Sequence, residues 1–438
     1  MTKAVAKIPE KRDMSANEIP GGNGWKQRLD RTEKGNIAAN VTNVVLTVGA
    51  HPFLSDCFAW SEVMEKVMIM RPLPTYDELK PPRSDSGYPC PIDDKNAIYI
   101  RCMLNSILGC NFKAGDINDG LVTIANQRPY HPIRTYLKSL GWDEIPRLTE
   151  WLYHGFGAEQ SSLTGSMAFM FLIAAVRRVI FRRYKFDSML VLEGPKGIQK
   201  SSGLRALYGD EQFLEGIDDI RKLETTKSLA GKWGVEIPEG KGFLNADAAT
   251  QKAFLSQVED TYRRAYERHD VSVPRTVTFA MTVNDYEYMN DGVGDRRFWP
   301  VRCGVTSEKC DIAWIKANRD QLWAEAFVKA IERNEDGSFR YQTFMEEAEM
   351  EELTTQQEER VIVDPWESLL KNYLYVDAGG SGVTEISTVR LMSDALEIPK
   401  DRQDKSAQMK VGRIMRDLGW KKHRVGVGTN REYVYNRP

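Results

Sequence analysis

The sequence predicts an α/β protein whose main body is a mostly parallel sheet, with a smaller domain before it and a compact basic module after it. Three observations carry that expectation. A short apolar run, Ser188 to Glu193, opens into a glycine-bearing turn and then a helical stretch, Ser201 to Tyr208. Two more candidate strands, Trp233 to Ile237 and Val277 to Val283, are separated by a long helical pattern from Asp247 to Tyr266. Strands alternating with helices pack as parallel sheets covered on both faces. From Asp364 onward the pattern changes to three helices and a terminal strand pair.

Taken in order, residues 1–33 are polar, charged and punctuated by glycine and proline, which predicts a mobile arm without a buried face. Residues 34–155 hold short apolar stretches (Val41 to Val48, Cys57 to Met70, Ala97 to Leu108, Leu121 to Asn126) broken by a proline-rich loop, and predict a small helical or α+β domain. In its last part, Tyr136, Leu137 and Leu140 share one helix face and Ile145-Pro146 punctuates the chain. The sheet-bearing core is expected over 156–343, entered by a helix from Ser161 to Arg183. Residues 344–363, with the acidic stretch Phe344 to Arg360, read as a solvated helical connector. The final module, 364–438, predicts helices at Pro365 to Tyr373, Ser387 to Leu396 and Asp404 to Leu418. Strands Lys421 to Val427 and Glu432 to Tyr435 follow, turning at Gly428 to Asn430. Three helices followed by a hairpin is a winged-helix layout.

With 438 residues, 42% hydrophobic and 28% charged, the chain is neither disordered nor fibrous. Its longest apolar run, Met167 to Val176, is about half of the roughly 20 residues that cross a bilayer, so no membrane span is expected. The N-terminus has lysines but no apolar core, unlike a signal peptide, and a cytoplasmic location inside a bacterial host is expected. Six cysteines contain no C-x-x-C pair and the five histidines do not cluster near them, which argues against zinc and against a disulfide framework. Sixty basic against 62 acidic residues leave a net charge of −2, so any nucleic-acid surface must be local.

The sharpest motif is LVLEGPKGIQKSS, residues 190–202. A buried strand, a glycine turn and Lys-Ser at a helix start form a phosphate cradle, in which backbone N–H groups and the helix N-terminus meet an anion. Gly194, Pro195, Lys196, Gly197, Ile198, Gln199, Lys200, Ser201 and Ser202 are the expected nucleotide-binding residues. Lys200 would reach the outer phosphates of ATP and Ser201 would hold Mg²⁺. Gln199 departs from the pattern, because glycine normally precedes the lysine where backbone passes close to phosphate. Its side chain can point outward if its dihedrals are ordinary; the alternative is a relaxed loop with weaker binding.

Downstream, KWGVEIPE is a strand ending in carboxylates. Glu239 is the candidate for polarising an attacking water and Glu236 for the metal's surroundings; the order can be reversed, and two solvent-facing glutamates on an edge strand is the plain alternative. The next strand, TVTFAMTVN, ends in Thr282 and Asn284, and Asn284 is the candidate for positioning water beside the γ-phosphate. The run NDGVGDRRFWPV then presents Arg296 and Arg297 after a glycine-rich turn. Such a pair suits charge on a γ-phosphate, belonging to a neighbouring subunit in a ring, although a structural salt bridge is an equal alternative for one of them.

The linear order LEGPKGIQKSSGLRALYG, KSLAGKWGVEIPE, KAFLSQVEDTYRRAYERHDVSVPRTVTFAMTVN and GDRRFWPV resembles the virulence-associated protein E family, phage, prophage and pathogenicity-island proteins whose ATPase core is similar to that of superfamily 3 replicative helicases. The specific part covers Phe156 to Val305; the upstream RPYHPIRTYLKSLGWDEIPRL resembles the family's N-terminal flank. The resemblance implies a P-loop, AAA+-like ring ATPase, self-associating as a hexamer and acting on DNA during replication of a mobile element. By position it implies Walker A residues at Gly194, Gly197, Lys200 and Ser201, Walker B acids at Glu239 and Glu236, sensor 1 at Asn284 and a trans-acting finger at Arg296 or Arg297. Asp260, Arg263, Tyr266 and Arg268 fall on a further family pattern without an evident role, and Arg264 and Ala265 stand where prolines are expected.

Between Lys400 and Pro438 eleven basic residues face four acidic ones. Lys410, Arg413 and Arg416 on a helix, with Lys421, Lys422 and Arg424 on the hairpin, are the candidates for phosphate contacts. Winged helices also dock proteins, so phage or host replication proteins are alternative partners. Two functions follow: an ATP-driven helicase or translocase on single-stranded or forked DNA, or a nucleotide-gated DNA-binding or replication-interfering factor with little or no hydrolysis. Gln199 favours the second; the strand-end acids, Asn284 and the arginine pair favour the first. No acidic cluster of a primase type is evident in the N-terminal third.

Overall fold

The computed structural model describes residues 23–76, 79–82, 84, 87–217, 219–263, 270–289, 296–361, 364–377, 383–425 and 432–437. The chain forms two compact units, Met1–Asp285 with Asp295–Leu353, and Tyr286–Gly294 with Thr354–Pro438.

The larger unit has two hydrophobic cores. The first gathers α1 (Val41–Ala50), β1 (Phe58–Ser61), β2 (Lys66–Ile69), β3 (Cys90–Pro91), α2 (Asp94–Leu108), α3 (Ala114–Ala125) and β4 (Pro129–Tyr130). Its four strands lie in the order β3-β2-β1-β4. Asn40 and Asp93 cap α1 and α2 by accepting backbone N–H bonds from Asn43 and Asn96. The expected arm is corrected here: Asn23–Arg28 forms a 3₁₀ turn, and Trp25 and Leu29 are buried in this core. Two apolar residues four apart suffice to seat an otherwise polar segment. The rest of that stretch lies outside the described residues.

The second core carries the parallel sheet. It begins with α4 (Pro132–Ser139) and α5 (Trp151–Phe156), whose Ile133, Leu137, Trp151 and Phe156 are buried with α6 (Ser162–Ile180). This segment, expected to close the N-terminal domain, therefore packs with the sheet. Helix α6 is long and apolar enough to cross a membrane, yet 72% of its most apolar window is buried inside the fold. Its Arg177 and Arg178 are buried too, donating to the carbonyls of Ala330 at 2.9 Å and Phe186 at 2.5 Å.

Next come β5 (Met189–Glu193), α7 (Lys200–Tyr208), β6 (Phe213–Glu215), α8 (Leu223–Ser228), β7 (Gly234–Pro238), α9 (Lys241–Leu244) and α10 (Ala248–Ser256). After the short pair β8 (Glu259–Arg263) and β9 (Asp270–Pro274), the chain adds β10 (Thr278–Val283), β11 (Phe298–Arg302), α11 (Ile312–Ile331) and α12 (Glu347–Glu358). The sheet order is β11-β5-β10-β7-β6, and every neighbouring pair is parallel. The expected mixed α/β fold with a parallel sheet is thus the observed one, and all five strands end on the same side. The acidic stretch is not wholly solvated, since α12 buries Leu353 in this core.

The expected long helix from Asp247 to Tyr266 is overturned. It stops at Ser256, and Glu259–Arg263 pairs antiparallel with Asp270–Pro274. At the base of this hairpin Asp260 takes a two-pronged bond from Arg275, Nε to Oδ2 at 2.8 Å and Nη2 to Oδ1 at 2.7 Å, with both side chains buried. That ion pair answers for Asp260, which is structural. Arg263 is exposed at the strand end, and Arg264, Ala265, Tyr266 and Arg268 lie outside the described residues.

The smaller unit contains α13 (Pro365–Asn372), a π-helical turn at Tyr373–Asp377, β12 (Glu385–Ser387), α14 (Thr388–Arg390), α15 (Lys405–Asp417), β13 (Lys421–Val425) and β14 (Glu432–Asn436). Its sheet runs β12-β14-β13, all antiparallel, over a core of Leu370, Leu391, Val411, Ile414, Trp420 and Tyr435. The expected turn at Gly428 to Asn430 lies outside the described residues.

Removing one partner of a buried ion pair leaves the other charge stranded in apolar surroundings, at a cost of about 3–5 kcal/mol. Asp260→Ala should lower stability by roughly that amount in urea titration, and Asp260→Leu with Arg275→Met together should cost less than Asp260→Ala alone.

Candidate functional site

The loop between β5 and α7 leaves the sheet at the carboxyl end of β5, where open α/β sheets bind ligands. Its course depends on three residues with positive φ. Gly194 has φ 148°, and a Cβ there would lie 2.7 Å from the Cys303 carbonyl oxygen, so only glycine fits. Gly197 has φ 88° and faces open space. Gln199 sits immediately before α7 with φ 71° and ψ 32°. Its dihedrals are therefore left-handed rather than ordinary, a conformation that costs a side-chain-bearing residue about 1 kcal/mol or more. The side chain itself is exposed, as are those of Pro195, Lys196 and Ser202, while Ile198 is buried.

No side chain caps the N-terminus of α7, leaving the positive end of a nine-residue helix beside the loop. Lys200, its first residue, is buried, and its Nζ donates to the carbonyls of Gly194 at 2.5 Å and Pro195 at 3.2 Å and to Asn284 Oδ1 at 3.3 Å. Burial pulls the Lys200 ammonium below its ordinary range. The cation is thus held inside the loop by carbonyl dipoles.

Behind it stands Glu236, in the middle of β7 and fully buried. Its Oε1 accepts from Ser201 Oγ at 2.7 Å and from Thr282 Oγ1 at 2.6 Å. Its Oε2 is buried without a hydrogen-bond partner among the described residues. Burial raises the Glu236 carboxyl above its ordinary range, and the Thr282 and Ser201 hydroxyls oppose that shift. Glu239 lies one residue beyond β7 at the same end of the sheet, exposed, with φ 52°.

Gly194 to Ser202, Glu236 and Asn284 therefore come together as one site, with Glu239 on the same edge. Arg296 and Arg297 do not join it. They precede β11, whose Phe298 pairs with Met189 at the start of β5, so they lie at the amino end of the sheet. A five-residue strand separates the two ends, roughly 16 Å at the rise of a strand. Both arginines face Asp187, Arg297 at 3.2 Å and Arg296 at 3.7 Å. The Arg297 side chain is 17% exposed and that of Arg296 56%, so Arg297 is the tethered member and Arg296 the presented one.

Three contributors escaped the sequence reading. Thr282 was seen only as a strand end; a hydroxyl on a strand buried along its whole length is the signal that it bonds something inside. Asp187, one of the few acids flanking β5, gains meaning only through arginines 109 and 110 residues later. Segment 303–310 straps the loop: Cys303 N–H donates to Glu193 O at 2.8 Å and Cys310 N–H to Ile198 O at 2.9 Å. Burial pushes both thiols up, Cys310 to about 11, so neither is a thiolate at neutral pH.

A carboxyl whose folded pKa is raised weakens the fold once the pH exceeds the unfolded value, and the penalty is complete above the folded one. Glu236→Gln keeps an acceptor for Ser201 and Thr282. It should unfold at higher urea than the unaltered protein near neutral pH, with the gap closing as the pH falls through the ordinary carboxylate range.

Against known proteins, the sequence model of the virulence-associated protein E-like domain matches residues 137–362. No curated protein matches. Among solved structures, the A form apo structure of the NrS-1 C terminal region matches with a TM-score of 0.45 and 13% identity, over 86% of this chain and 95% of that one. A second A form structure of that region gives 0.46 and 12%, over 86% and 96%. Likeness at this level says nothing of what the present chain does.

Proposed function

The chain belongs to the virulence-associated protein E-like family, matched over more than half its length, and from that premise we propose that it is an ATP-dependent DNA helicase or translocase serving replication of a phage or related mobile element. The observation that carries this reading is the convergence of Lys200 and Ser201 at the start of α7 with Asn284 just beyond β10 and the Glu236 carboxylate in the middle of β7. In this reading the loop 194–199 is a P-loop, its backbone and the α7 N-terminus meeting the phosphates of ATP.

The residues fit Mg²⁺. A hydroxyl and a carboxylate make an all-oxygen donor set suited to a hard cation, and the buried Glu236 oxygen has no protein partner among the described residues. Ser201 and Glu236 would hold the ion, whose chemistry when bound is to neutralise charge on the outer phosphates. Lys200 would exchange its loop carbonyls for phosphate oxygens. Asn284, released from Lys200, would orient water, and Glu239 would accept its proton.

The arginines suit delivery to another subunit, since in their own chain they stand at the wrong end of the sheet. In a ring, a heterologous interface would bring the amino end of one subunit's sheet to the next subunit's loop. Arg296 is the finger in this reading and Arg297, tied to Asp187, its support. A hexameric ring is proposed, with the smaller unit as a winged-helix-like DNA contact and phage or host replication proteins as further partners. One observation favours a second reading, a nucleotide-gated factor with slow hydrolysis or none: the left-handed Gln199, where strain and an exposed side chain border the phosphate path.

ATP turnover with Mg²⁺, with and without single-stranded DNA, separates them. Stimulated turnover supports the motor, and binding without turnover supports the gated factor. Lys200→Ala should abolish ATP uptake in calorimetry, whereas Glu239→Gln should keep uptake and lower turnover about 10²-fold or more. Lys200→Ala and Arg296→Ala should each be inactive alone, and a one-to-one mixture should regain about a quarter of the interfaces if the finger acts between subunits. No recovery on mixing would place the finger elsewhere.

A further inference from the structure

The six basic residues expected to touch DNA in the smaller unit do not share a face. Lys410 Nζ lies 3.0 Å from Asp364 and 4.3 Å from the Trp366 ring, and Arg413 lies 3.6 Å from Asp364, so both turn toward α13. Lys421 and Lys422 alternate to opposite faces of β13. On the other side of α15, Lys405, Gln408, Met409, Gly412 and Arg416 follow helical spacing along one stripe. With Thr388, Lys422 and Tyr433 they line a cleft of about 330 Å³.

The lining holds three cations and no acid. Lys405, Gln408 and Arg416 are exposed, and the apolar parts are unusually open: Met409 is 67% and Tyr433 49% exposed. Lys422 Nζ stands 3.8 Å from the Tyr433 ring. Gly412 keeps the floor clear, since a Cβ there would reach 3.0 Å from Tyr435 Oη.

We infer that this cleft binds single-stranded nucleic acid, one backbone phosphate meeting Lys405, Arg416 and Lys422 while the adjoining base packs on Tyr433 and Met409. Charge complementarity selects a polyanion, and an open ring flanked by cations selects unpaired bases, whose faces are free to stack. The inference deepens the proposed function by naming the strand-binding residues, and it rests on that reading only for the class of ligand.

The test is fluorescence anisotropy of the full chain with labelled oligothymidylate across a salt series. The Lys405→Ala, Arg416→Ala and Lys422→Ala triple variant should bind more than tenfold more weakly, with a salt slope shallower by about 0.7, the value for one phosphate contact on single strands. Tyr433→Ala should lose about tenfold with the slope unchanged. Should the triple variant misfold by thermal unfolding, Lys405→Glu at the exposed first turn gives the same sign. A greater loss from Lys410→Ala with Arg413→Ala, or tighter binding of duplex than of single strands, overturns the inference, as does wild-type binding to a protein partner but not to DNA. ATP uptake by the unaltered protein, measured in parallel, reports on the nucleotide reading alone: uptake without DNA binding sinks only the cleft, and DNA binding without uptake sinks only the motor.

Discussion

A carboxylate buried in the middle of a parallel sheet constrains everything around it. Glu236 enters apolar surroundings that disfavour its charge, and the two hydroxyls on its Oε1 come from different elements, Ser201 on α7 and Thr282 on β10. Those bonds fix how the helix after the loop sits over the sheet, and hence where Lys200 and the loop carbonyls lie. The second oxygen has no such donor among the described residues. An apolar residue would be cheaper for folding at this position, and in the proposed reading it is Mg²⁺ that would compensate the charge.

The amino end of the sheet is held by charge of a different kind. Arg178, fully buried in α6, donates to the carbonyls of Phe186 and Gln257 and is pulled down to about 9 by burial, with neighbouring Arg275 acting in the same direction. Arg275 in turn is fixed by Asp260, and Asp187 lies close enough to Arg178 to counter that shift while facing Arg296 and Arg297. The base of the β8-β9 hairpin and the arginine pair are thereby coupled through shared partners.

Legibility in the sequence followed the range of the forces involved. The strand, loop and helix from Met189 to Tyr208 were readable because their signals are local: four consecutive apolar residues, glycines where φ turns positive, and a lysine at a helix start. The β8 strand was not, because its inward positions are Asp260 and Tyr262. An acid on the buried face erases the two-residue alternation, and only Arg275, fifteen residues later, makes it an interior residue. The surroundings of two α15 cations were hidden for a similar reason. Lys410 and Arg413 look free until Asp364 is brought beside them by the fold.

Gln199 shows how a local departure can be absorbed. The residue before α7 must take a left-handed conformation to turn the chain from the buried Ile198 into a helix whose first residue points back into the loop. That requirement belongs to the backbone path, which Ile198 anchors through its carbonyl bond from Cys310 and Gly194 through its N–H bond to the Val283 carbonyl. A glutamine satisfies it at a cost of about 1 kcal/mol relative to glycine, provided its side chain has somewhere to go, and here it projects to the surface. The substitution therefore leaves the shape of the cradle intact and acts on its rim. Gln199→Gly should stabilise the loop and leave the Lys200 contacts unchanged; a rise in ATP affinity beyond that gain would mean that the glutamine side chain itself obstructs the phosphates, and equal affinity would mean that it does not.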